Sequence, residues 1–196
     1  YVATGSRFDK KQLPGGGWGN NHLVLLAKNY QGYKNLMKLV TAGYLEGFYY
    51  RPRIDIDLLK EFNEGLICLS GCLKGELPEK MLKGDFEGAK KTAIMYSQIF
   101  NERYYLEIQN HGIPEEEANI ANMKKLSSEL GLPLVCTNDA HYARQNHWEA
   151  HDIHICLGTG KERSDQNRLR YATPEFYFKS EDQMFKLFKE FPGAIE

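Results

Sequence analysis

The sequence has no excess of charge of either sign, no long apolar run and few cysteines, and each lack removes a class of protein. Its 25 Lys and Arg are balanced by 26 Asp and Glu, for a formal net charge of −1. Such a chain carries no overall basic field to draw in nucleic acid, so if it serves DNA chemistry it is not the main phosphate-binding surface. The most basic stretch, Lys161, Arg163, Arg168 and Arg170, is broken by Glu162 and Asp165 and reads as a solvated loop. No apolar run approaches the roughly 18 residues of a membrane span, and no charged-then-apolar leader is read at the start. A soluble cytoplasmic protein with no membrane partner is therefore expected. The four cysteines, at 68, 72, 136 and 156, lack the tight spacing of a disulfide framework, which fits a reduced setting. Cys68, Cys136 and Cys156 lie in apolar segments, where a free thiol packs as a small hydrophobe. A starting Met is also lacking. Tyr1-Val2-Ala3 reads as the end of a strand, and Glu196 closely follows a strong helix, so a piece of a longer protein is expected.

What is present is an alternation of two periods over a length sufficient for one domain core. Thr4 to Asn21 is polar and Gly-rich, with Pro14-Gly15-Gly16-Gly17, and reads as a loop. The apolar run at 22–27 then predicts a buried strand, and Tyr33, Leu36, Met37, Val40 and Tyr44 predict a helix over 33–44 with those side chains in the core. A second strand is expected at 65–70, ending on Gly71-Cys72, and a helix at 86–100, where Phe86, Ala89, Ala93, Tyr96 and Phe100 share a face. Strands at 104–108 and 132–137 flank a helix at 115–130, which starts on Pro114 and three glutamates and stops at Gly131. Ser180 to Gln183 matches a capping box and predicts a last helix over 181–190. This order argues for α/β architecture, a parallel sheet or barrel in a single domain.

In parallel α/β folds, ligands gather at the carboxyl ends of strands. Cys72 follows the strand at 65–70, and Asp139 with His141 follows the strand at 132–137. Alternate residues of an extended segment share a face, so Asp139 and His141 point the same way. Thiolate, carboxylate and imidazole all ligate zinc and related ions. Each signal has a bland alternative: a hydrogen-bonded loop pair for Asp139 and His141, a packed small residue for Cys72, a half-buried strand end for His22. Spacing alone supports a soluble α/β domain with a candidate metal site and goes no further.

The wording of several segments together says more. His22-Leu23-Val24-Leu25-Leu26-Ala27-Lys28-Asn29, Ala42-Gly43-Tyr44-Leu45-Glu46-Gly47-Phe48-Tyr49-Tyr50, and Glu64-Gly65-Leu66-Ile67 leading to Ser70-Gly71-Cys72 form one ordered series. Tyr105 to Gly112, Gly131 to Val135, Thr137-Asn138-Asp139-Ala140-His141-Tyr142 and Ala150-His151-Asp152 continue it. The series resembles the PHP (polymerase and histidinol phosphatase) domain of bacterial DNA polymerase III alpha subunits, over nearly the whole chain. The resemblance implies a distorted (β/α) barrel holding divalent metal ions, zinc or manganese. His22 matches a histidine ligand, Cys72 a position where related phosphoesterases have His, and Asp139 and His141 the last ligand pair. It further implies part of a DNA-directed DNA polymerase, a nucleotidyltransferase, with a metal-dependent 3′–5′ exonuclease site. DNA and other holoenzyme subunits are the implied partners, and 175–196 would lead toward the polymerase core. The family's earlier ligands (a His-x-His, an Asp, a His and a Glu) would lie upstream of residue 1. The barrel and its site are then incomplete here, and the 196 residues alone are expected to be catalytically silent. Two other readings are a stand-alone phosphoesterase of the histidinol phosphatase type and a non-catalytic structural or interaction domain. His111, His147, His151 and His154 rank below His22, Cys72, Asp139 and His141, and His111 is the one to check for contact with the site from behind.

Overall fold

Polar caps and turn glycines mark out the elements of the computed structural model, which describes residues 1–12 and 19–195. The Pro14–Gly17 run lies outside the described residues. Strand β1 (Val2–Ala3) pairs antiparallel with β2 (Asn20–Asn21) in a small ribbon. After β3 (Val24–Ala27), the Asn29 side chain accepts from the N–H of Gly32 and starts α1 (Tyr30–Leu45). Asp55 caps α2 (Ile56–Glu61), which leads to β4 (Leu66–Leu69). Helices α3 (Glu76–Leu82) and α4 (Phe86–Phe100) follow, then β5 (Tyr104–Ile108). Helix α5 (Pro114–Leu130) begins on its proline and ends at Gly131, whose φ of 65° closes the last turn. The chain then forms β6 (Leu134–Cys136), α6 (Trp148–Thr159) and α7 (Glu181–Leu187), the last opened by the full Ser180–Gln183 capping box. Helix α7 is shorter than expected because Phe188 leaves helical geometry and buries its ring at 2% exposure.

The main sheet has the order β3-β4-β5-β6. Strands β4, β5 and β6 are parallel, as expected. Strand β3 is not: it runs antiparallel to β4, with Val24 opposite Leu69 and Ala27 opposite Leu66. A short apolar run carries the same signal in either direction, and an antiparallel edge strand on a parallel sheet is a common mixed arrangement. The core fills the space between this sheet and helices α3, α4 and α5. Leu66, Cys68, Tyr104, Leu106 and Ile108 of the strands meet Leu77, Ala93, Phe100, Met123 and Leu126, all essentially inaccessible.

Helix α1 corrects a second expectation. Tyr33, Met37, Val40 and Tyr44 form a stripe at helical spacing, but each is about half exposed. The inward face is instead Gly32, Asn35, Leu39 and Gly43. A Cβ at Gly32 would stand 1.9 Å from the carbonyl oxygen of Gly65, so only glycine permits this close approach. Small residues thus rotate the helix and leave its aromatic stripe outside.

Candidate metal centre

The reversal of β3 decides where His22 goes. In an all-parallel sheet a residue that opens a strand sits at the amino edge, away from Cys72. Because β3 runs the other way, its start lies beside the end of β4, and His22 arrives at the carboxyl edge. The His22 N–H donates to the Lys74 carbonyl at 2.9 Å, which fixes it against the 71–75 loop. Gly71 turns that loop at a φ of 87°, and a Cβ there would meet the His22 carbonyl oxygen at 2.8 Å. The outcome is a contact of 3.5 Å between Cys72 Sγ and His22 Nδ1.

The second pair follows β6. Asp139 Oδ1 lies 3.2 Å from His141 Nε2. The segment is clamped by residues 176–178: the His141 N–H donates to the Phe176 carbonyl at 2.8 Å, and Asn138 Nδ2 to that of Tyr177 at 2.7 Å. The Tyr171 hydroxyl sits 3.0 and 3.1 Å from the two ring nitrogens of His141.

His111 reaches this pair through the Asp139 backbone. It is 1% exposed, and its Nδ1 lies 2.7 Å from a carboxylate oxygen of buried Glu116. Glu116 can only accept there, so Nδ1 carries the proton and Nε2 is free to accept from the Asp139 N–H at 3.3 Å. The ring is stacked on Phe176 with centroids 4.2 Å apart. His151 packs against His141 and Tyr171, whereas His147 sits at the start of α6 and His154 is exposed.

Electrostatics links the two pairs. Burial, with help from Lys74, lowers the His22 pKa against the opposing pull of Asp139. Burial raises the Cys72 thiol, and the charges of Asp139 and Glu107 push it the same way. Asp139 is therefore felt at both members of the first pair. The donor types suit zinc or a related ion. In number the fit is incomplete: among the described residues, no three of His, Cys, Asp or Glu are grouped closely enough to hold one ion. The other cysteines are free thiols; Cys68 and Cys156 are buried, and burial pushes half-buried Cys136 up to about 12. Lys161, Arg163 and Arg170 of the basic stretch are exposed in a loop, as expected, whereas the Arg168 side chain is only 4% exposed and grips Asp152 through both terminal nitrogens. Three acids of the described residues are buried, Asp55, Glu107 and Glu116, and the sequence reading singled out none of them as such. The available signal for Glu107 was a single charge inside the apolar strand at 104–108.

A family model of the PHP domain matches residues 2–111. The chain belongs to the PHP domain family. Beyond that match, this PHP chain is 47% identical over its full length to "DNA polymerase III subunit alpha" of Borreliella burgdorferi. It is also 47% identical to the protein of that name from Treponema pallidum, and 40% identical over 97% of the chain to that of Thermus aquaticus. The PHP chain spans only about a sixth of these relatives' length, 17%, 17% and 16% respectively. Asp139 and His141 lie past the end of the family match but inside the alignment with the first two relatives.

Proposed function

We propose that this PHP domain contributes a divalent-metal site, zinc or manganese, to a DNA polymerase III alpha subunit, and that the site serves 3′–5′ exonuclease proofreading. His22, Cys72, Asp139 and His141 would hold the metal, and further ligands would come from outside these residues, as the resemblance implies. The observation that carries the reading is the 3.5 Å contact between His22 and Cys72, fifty positions apart in sequence and joined by a reversed strand. The polymerase assignment rests on 47% identity, over the whole of this chain, to two proteins of that name. On this reading the whole protein is a cytoplasmic nucleotidyltransferase that works on DNA with other holoenzyme subunits. Residues 1–196 form one domain, with 175–196 leading toward the polymerase core, and the four-stranded sheet is part of a distorted barrel.

The chain's own groups are prepared for ligation to different degrees. His22 is held neutral, with a lone pair to offer. Cys72 keeps its proton at neutral pH and must lose it to bind, so metal affinity should rise with pH. A divalent ion, when bound, supplies Lewis acidity toward a phosphodiester. Alone, these residues offer two ligand pairs and are proposed to be catalytically silent. A non-catalytic structural role is the second reading, favoured by the absence of a three-donor group among the described residues.

The test uses the full-length protein that carries this chain. Cys72→Ala should lower bound zinc or manganese, measured by elemental analysis, and lower exonuclease activity on single-stranded DNA. Nucleotide incorporation should be retained, because it belongs to a separate site. Equal loss of both activities would favour the structural reading, and unchanged metal content would remove Cys72 from the site.

A further inference from the structure

Strand β5 gives no residue to either ligand pair, yet it runs between the strands that do. Strand β4 on one side leads to Cys72, and β6 on the other leads to Asp139. Glu107 lies within β5 at 3% exposure, and its carboxylate reaches both neighbours. One oxygen, Oε2, accepts from the N–H of Gly71 at 3.0 Å, the residue immediately before Cys72. The other, Oε1, accepts from the hydroxyl of Thr137, two residues before Asp139, and from Gln109 Nε2 at 3.1 Å. Gln109 Nε2 also donates to Thr137 Oγ1 at 3.0 Å, and the Glu107 N–H donates to Ser70 Oγ at 2.9 Å. The carboxylate thus accepts from three donors, Gly71, Thr137 and Gln109.

A buried carboxylate is costly unless such donors meet it, and an apolar side chain at 107 would serve the strand alone. What an apolar residue cannot do is hold two loops at once. We propose that Glu107 is a positioning residue: its single carboxylate ties the Cys72 loop to the Asp139 loop and so fixes the spacing between the two ligand pairs. The proposal rests on the metal-site reading above. His111 reinforces it from just beyond the same strand by accepting the Asp139 N–H, whereas Glu107 bonds to Gly71 on one side and Thr137 on the other. Outer partners of this kind typically change metal affinity by about 10–100-fold when removed.

The experiment compares wild type, Glu107→Gln and Glu107→Ala in the full-length protein that carries this chain. The Gln variant keeps the side-chain shape but turns an amide N–H₂ toward one of the donors, so the tie to one loop is lost. Hydrogen exchange by mass spectrometry reads peptides covering 70–75 and 137–141, with α4 as the internal reference. Zinc affinity is read by competition with a chelator. The expected result is faster exchange in both loops, no change in α4, and zinc affinity lower by about 10–100-fold. Unchanged exchange in the two loops overturns the proposal. So does faster exchange everywhere with zinc affinity intact, which is the signature of a merely structural acid. Should wild type bind no zinc while the two loops still respond, the metal reading fails and the tie stands. Should the Ala variant not fold, the Gln variant carries the test.

Discussion

At the residue scale, one carboxylate ties the start of α2 to Arg7 near the beginning of the chain. Asp55 accepts from the Leu58 N–H at the start of α2, from the Arg7 N–H at 3.0 Å, and from the Arg7 guanidinium. Burial alone would raise its pKa, but these hydrogen bonds and the cation outweigh it and hold the carboxyl below its usual range. The sign follows: a carboxyl depressed in the folded state stabilises the fold above its unfolded value near 3.8, and that contribution disappears as pH falls through the folded value. Asp55→Ala removes a helix cap and one of the two carboxylates that hold Arg7, the other being Glu46 at 2.6 Å, for an expected loss of roughly 1–3 kcal/mol at pH 7. Asp55→Asn keeps an acceptor for the cap and should cost less. Urea unfolding of the three proteins at pH 7 and below pH 3 checks this, since the gap should shrink in acid. A gap independent of pH would show that the charge is not what matters.

At the element scale, the elements bounded by strong local chemistry were legible in the sequence. Helix α4 and strand β5 occupy their expected residues, and α5 runs between its proline and Gly131. Helix α2, at six residues, is too short for a periodic stripe and was not read from the sequence. Helix α6 buries only Cys156, so it has no apolar face to read. The stripe of α1 was real, but the glycines on the opposite face decided which side turned inward. Direction was the deeper gap. Nothing in the apolar run of β3 says which way it pairs, and that pairing brings His22 to Cys72. The connection that follows α1 is held by a buried arginine. Arg53 is 2% exposed and donates to the carbonyls of Gly47, Arg7 and Asp9, pinning the α1–α2 connection to the start of the chain. Lys cannot reproduce this fork. Arg53→Lys should therefore lower stability by about 2–3 kcal/mol in chemical denaturation, with the far-UV spectrum unchanged. A change below about 0.5 kcal/mol, the level of ordinary surface substitutions, would show that the fork is dispensable.

At the scale of the whole molecule, the candidate site was legible in part. Its four residues were named through family resemblance, because spacing alone left each with an ordinary structural explanation. The groups behind them, Glu107 and His111, act through contacts to Gly71 and Asp139, 36 and 28 positions away, that no local pattern encodes. The central claim is that His22, Cys72, Asp139 and His141 ligate one metal centre, and the shell around a bound ion tests it most directly. X-ray absorption on the zinc-loaded full-length protein that carries this chain should show sulfur at about 2.3 Å together with nitrogen or oxygen at about 2.0–2.2 Å. In Cys72→Ser the sulfur contribution should vanish while the lighter ligands remain. A wild-type shell without sulfur, or a sulfur contribution that survives Cys72→Ser, would contradict the account.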